Sequence, residues 1–143
     1  MNSFLTVMRK IILICFILFH QYSFAQTEYN KALLLNKTWK LQSMTLVNGE
    51  PVRIEVPNDL IQFKNDSIWE NRRGNDTMEG KWYFDGPEYL IIQETKVNGN
   101  QVPSNSHKSY LKIKELDSDQ LILIYLEREG NHTICTYKSI SGN

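Results

Sequence analysis

The sequence predicts an all-β protein: an antiparallel, up-and-down eight-stranded barrel with a short N-terminal helix, preceded by a signal peptide. Three observations carry that prediction. Apolar and polar residues alternate with a period of two through most of the chain after Asn36, the spacing of half-buried strands. Turn residues break the alternation at hairpin intervals, as at Asn48-Gly49, Asn65-Asp66, Gly74-Asn75-Asp76, Asp85-Gly86-Pro87, Asp117-Ser118-Asp119 and Gly130-Asn131. No helical stretch intervenes that is long enough for a parallel crossover.

The chain opens with MNSFLTVMRKIILICFILFHQYSFAQ. Arg9 and Lys10 form a basic patch, Ile11 to Phe19 is an unbroken apolar run, and Ser23-Phe24-Ala25 supplies the small residues of a signal-peptidase site. A transmembrane anchor needs about 20 apolar residues, so a cleaved signal over residues 1–25 is expected, with one domain over 26–143. Cys15 lies inside the apolar run behind Ile14, which does not suit a lipoprotein site. Cleavage removes 25 of the 143 residues and two of the 16 basic ones, leaving 118 residues with 14 basic against 16 acidic. One domain fits that length. The near-neutral balance argues against nucleic acid and against strong attraction to acidic membranes.

Cys135 would be alone in the mature chain, so no internal disulfide is expected and the core must hold the fold by itself. In HTICTYKSI it shares a face with Thr133 and Tyr137 and reads as a small buried hydrophobe rather than a nucleophile. The matching compartment is a periplasm, an outer envelope or the medium. Four sequons begin at Asn36, Asn65, Asn75 and Asn131, and their asparagines equally suit turns.

The elements follow in order. TEYNKALLLN places Tyr29, Ala32, Leu33 and Leu34 at helical spacing, with Thr27 as a cap. KTWKLQSMTLVN alternates, with Trp39, Leu41, Ser43, Thr45 and Val47 on one face. RIEVPND carries Pro57 and predicts a loop or an edge segment. LIQFK directs Ile61 and Phe63 to one side, and SIWENRR, GKWYF and EYLIIQETKV follow as strands. NGNQVPSNS is the longest polar gap; KSYLKIKEL, QLILIYLERE and HTICTYKSI complete the set. About eight strands can close a small barrel, which hides the apolar faces and pairs the first strand with the last.

LNKTWKL, at the start of the first strand after a helical turn, resembles the N-terminal signature of lipocalins, where a Gly-x-Trp stretch closes one barrel end. Lys37 stands in the glycine's place. The resemblance implies a basic side chain from the last strand on the tryptophan, and Lys138 in TYKSI matches by position. Gly80-Lys81-Trp82 has the Gly-x-Trp spelling in mid-chain and resembles the lipocalin-like domain of small secreted bacterial proteins. From the residues themselves, Trp39 suits a barrel end with an apolar ring site and a wet indole N–H. Gly80 suits a bend in a curling strand.

The sequence supplies no catalytic constellation. His107 and His132 stand beside turns, and no His-Glu-x-x-His, paired-cysteine motif, calcium loop or Gly-x-Ser-x-Gly occurs. Ser104, Ser106 and His107 lie in a polar loop, and Glu127 and Glu129 flank Arg128 at a strand end. The expectation is therefore no enzyme and no cofactor. Two functions remain. One is an exported binding protein for an apolar or amphipathic small molecule, lined by Phe63, Trp82, Phe84, Leu123, Tyr125 and Tyr137. The other is a non-enzymatic cell-envelope interaction or structural module with a filled barrel. An interior void of about 300 Å³ or more favours the first.

Overall fold

The structure, a computed structural model, describes residues 8–12, 14, 15, 28, 30–35, 37–55, 58–103, 108–126 and 130–140. The expected cleavage site after Ala25, the loop residues Ser104, Ser106 and His107, and Glu127 to Glu129 lie outside the described residues. Among the described residues no helix is long and apolar enough to cross a membrane.

Among the described residues ten strands form one antiparallel sheet: β1 (Thr38–Leu46), β2 (Pro51–Val52), β3 (Asp59–Phe63), β4 (Ile68–Arg73), β5 (Asp76–Phe84), β6 (Tyr89–Val97), β7 (Asn100–Gln101), β8 (Lys108–Leu116), β9 (Gln120–Tyr125) and β10 (Thr133–Ile140). The two-residue strands β2 and β7 pair at the sides of β1 and β6. The eight long strands run β1-β3-β4-β5-β6-β8-β9-β10, and the sheet closes because β10 returns to β1. The closing ladder extends from Thr38 opposite Ile140 to Leu46 opposite Thr133, as the alternation predicts. Closure leaves no open edge along the long strands.

One face assignment needs correction. Ser43, Thr45 and Val47 do not follow Trp39 and Leu41 into the core. The register against β10 steps from Leu41–Tyr137 to Ser43–Thr136, so Gln42 is the extra residue of a β-bulge. A one-residue slip exchanges the two faces of a strand. Met44, opposite Cys135, therefore packs against the core, and Val47 is 57% exposed.

One end of the barrel is sealed. A short helical turn over residues 30–34 lies across it and buries Leu34 completely beside Trp39. The last carbonyls of a helix lack internal partners, and Trp39 Nε1 donates to one of them, Leu34 O, at 3.2 Å. The indole N–H is thus protein-bound rather than wet. The cation over the Trp39 ring is Lys37 Nζ, 5.4 Å from the centroid, not Lys138. Lys138 is exposed and pairs in register with Lys40, one residue out of phase with the inward Tyr137. Lys37 Nζ also donates to Ser118 O at 2.8 Å, and Asn30 Nδ2 donates to Pro87 O at 2.8 Å. These two bonds tie the helical turn to the β8–β9 and β5–β6 loops.

Above this seal the interior is packed with Leu90, Leu111, Leu121 and Leu123. Phe63, Trp82 and Phe84 form an edge-to-face series, with centroids 5.4 and 5.9 Å apart. Trp82 Nε1 donates to Lys64 O at 3.1 Å, so this polar atom also has its partner inside the fold.

Gly80 does more than accommodate a bend in the strand. It faces Trp69 across the β4–β5 ladder and sits at the register shift against β6. A Cβ there would lie 2.1 Å from Gln93 O and 2.3 Å from Trp69 Nε1. The missing side chain is the space in which the Trp69 indole rests.

Candidate functional site

The other half of the barrel interior is built differently. Inward positions near its long loops carry Asp59 at the start of β3, Asn71 and Arg73 at the end of β4, Tyr125 at the end of β9, and Thr133, Cys135 and Tyr137 on β10. The pattern is local in origin. Folding LIQFK onto SIWENRR about the Asn65-Asp66 turn sets Asp59 opposite Arg73 and Phe63 opposite Trp69. Period-two alternation then brings Asn71 to the same face as Trp69 and Arg73.

Two chambers meet here. One, of 120 Å³, has Phe63, Trp69 and Leu111 in its apolar part and Asn71, Arg73 and Glu94 in its polar part. The second, of 140 Å³, lies against Met44, Asp59, Thr133 and Cys135. Arg73, Tyr125 and Tyr137 border both. A groove of 350 Å³ along Val52 to Glu55 adjoins the second chamber at the mouth, sharing Asp59 and Arg73. Each interior chamber is smaller than the roughly 300 Å³ of a drug-sized ligand pocket.

The polar groups form one connected set. Arg73 Nε donates to Asp59 Oδ2 at 3.0 Å, and Asn71 Nδ2 donates to Asp59 Oδ1 and to Leu60 O. Asp59 is nearly fully buried, whereas about half of the Arg73 side chain is exposed. Asn71 Oδ1 and Trp69 Nε1 are buried and have no hydrogen-bond partner among the described residues. The Tyr125 and Tyr137 hydroxyls lie 3.3 Å apart and share a hydrogen bond. Among the described residues no group of three His, Cys, Asp or Glu side chains could hold a metal ion.

Burial dominates the titration of this wall. It pushes the Tyr125 phenol up to about 12, raises Tyr137 well above 10.0, and lifts the Cys135 thiol to about 11. All three are thus held neutral in the fold. The unfolded chain ionises its thiol near 9.0 and its phenols near 10.0. Above about pH 9 the unfolded state therefore releases protons that the folded state keeps. Stability is expected to be full below pH 9 and to fall as pH rises toward about 12. Urea midpoints across this range test the expectation. Tyr125→Phe should reduce the slope above pH 10; an unchanged slope would mean that the phenol titrates as if exposed.

Of the six residues expected to line a site, Phe63, Tyr125 and Tyr137 do border the chambers. Trp82 and Leu123 are buried in the packed core, and Phe84 packs half-buried against it; none of the three borders either chamber. Reasoning from apolar alternation passed over Asp59, Trp69, Asn71, Arg73 and Glu94. The available signal was a polar residue on a tryptophan's own face in SIWENRR, with Asp59 and Arg73 equidistant from one turn. Searches find no matching protein-family model and no matching curated protein.

Proposed function

We propose that the chain is an exported, non-catalytic, lipocalin-like barrel that binds a small amphipathic molecule in the open half of its interior. The observation that carries this reading is the division of the interior. One end is sealed and apolar, whereas the other keeps chambers of 120 and 140 Å³ beside buried polar groups. The helical turn, Trp39 at the sealed end and a lysine over its ring support the lipocalin-like reading. The basic patch at Arg9-Lys10, the apolar run and Ser23-Phe24-Ala25 support export. Mass spectrometry of the exported protein should find Gln26 as its first residue; an intact N-terminus would refute cleavage.

Chambers of this size suit a single ring or a short chain. Fatty acids, sterols and haem exceed them unless the core moves. A ring-sized amphiphile at ten times its Kd should add about 1.4 kcal/mol, or about 5 °C in Tm for a domain of this length. It should also change tryptophan fluorescence through Trp69, which borders the chamber, and this change should vanish in Trp69→Phe. A melt that no small amphiphile shifts at about 100 µM would defeat the reading.

Two observations favour the second reading, a filled barrel acting through its surface: neither interior chamber reaches the roughly 300 Å³ that marks a carrier, and aromatic side chains line the outer wall. Tyr83, Ile91 and Tyr110 form a row across the outside of β5, β6 and β8, and both tyrosines are exposed. Tyr89 is exposed on the adjoining row. If the chambers bind nothing, this outer wall becomes the working surface.

A further inference from the structure

On the reading that the chambers hold a ligand, their hydrogen-bonding groups narrow its chemistry. Asn71 is only 5% exposed and borders the 120 Å³ chamber. Both of its Nδ2 bonds go to protein oxygens, while Oδ1 has no donor. A buried acceptor left without a donor costs about 1–3 kcal/mol, so a donor arriving there is favoured. Two residues along the same face, Arg73 commits Nε to Asp59 and keeps its outer N–H groups available at the half-exposed rim. One chamber thus offers an acceptor and donors side by side.

Charge selects further. Asp59 already faces Arg73, and Glu94 borders the chamber. An anionic head would meet these carboxylates, and a cationic head would meet the guanidinium. The neighbouring wall holds its phenols and thiol neutral through burial, which marks it as a poor host for charge. The apolar part of the chamber, at Phe63, Trp69 and Leu111, takes a body of limited size. A dry cavity of about 150 Å³ accepts benzene, and the 120 Å³ chamber is comparable.

We propose that the ligand has a single-ring or similarly small apolar body and an uncharged head with adjacent donor and acceptor, as in a primary carboxamide. The carbonyl accepts from Arg73, the N–H donates to Asn71 Oδ1 after a small turn of the Asn71 amide, and the ring rests over Phe63.

The probes are benzamide, benzoate, benzylamine and toluene, titrated calorimetrically into the full mature chain. Benzamide is expected to bind about ten-fold more tightly than each of the others, the equivalent of one satisfied buried acceptor. Asn71→Leu should abolish the preference for benzamide over toluene. If that variant fails to fold, the ranking on the unaltered protein decides alone. Benzoate or benzylamine as the tightest probe, or toluene equal to benzamide, overturns the head-group assignment and leaves small-molecule binding intact. Binding of longer amphiphiles with no response to any ring probe overturns the assignment in the same way. Silence from every probe and every longer amphiphile overturns both.

Discussion

Replacing Trp39 with alanine is expected to destabilise the barrel by about 3–5 kcal/mol, the range for deleting a large buried aromatic. Trp39 has no solvent exposure, and three interactions depend on its indole. It fills the sealed end against Leu34, its Nε1 supplies the donor for Leu34 O, and its face carries Lys37. Removing the ring leaves a cavity beneath the helical turn and an acceptor without its donor. The turn is then held only by its own packing and by ties such as Asn30 to Pro87. Trp39→Phe separates the contributions, because it keeps much of the volume and loses the hydrogen bond. It should cost clearly less than alanine, with about 1 kcal/mol of its loss from the bond. Urea melts of the three proteins measure both values. A loss under about 1 kcal/mol for alanine would show that the residue does not seal the barrel.

Gly80→Ala is the second large effect. The position needs space: a Cβ would stand 2.1 Å from the carbonyl oxygen of Gln93 and 2.3 Å from Trp69 Nε1. The indole can tilt, but the Gln93 oxygen belongs to the backbone of β6. One added methyl group must therefore push two strands apart at a point where their register already shifts. Overpacking of this kind costs typically 1–3 kcal/mol, and the backbone contact places Gly80→Ala at about 3 kcal/mol or above on that scale. The double variant Gly80→Ala, Trp69→Phe tests the cause. It frees the indole but not the carbonyl, so it should recover only part of the loss. Full recovery would locate the whole clash at Trp69. A loss below about 0.5 kcal/mol for Gly80→Ala would mean that the ladder relaxes at no real cost.

Much of this fold is legible in the residue pattern because strand alternation reports directly on burial. Ile61 and Phe63, and also Leu111 and Ile113, turn inward as their spacing predicts. The pairing of the first long strand with the last follows from the need to cover both edges. Legibility ends where one residue is out of phase. Gln42 carries no mark of a bulge, yet it exchanges the faces of every residue after it in β1. The candidate site was half legible for a related reason. A search for apolar linings selects the best-packed side chains, and Trp82 and Leu123 are so well packed that no void remains beside them. Space persists where polar groups prevent close packing, around Asp59, Asn71 and Arg73. Lys37 likewise stands in the sequence as a departure from glycine, whereas its own side chain supplies the cation over the tryptophan.

The join between β1 and β10 also governs when the chain can fold. Thr38 meets Ile140 across about a hundred intervening residues, so the closing ladder has a very long sequence separation. Contacts of that kind form late, because the loss of chain entropy precedes any gain from pairing. An emerging chain can make its hairpins one after another, but both edges stay open until β10 is released. Closure of the barrel therefore waits for β10. The last strand of the barrel, Thr133 to Ile140, thus decides when the sheet loses its two open edges.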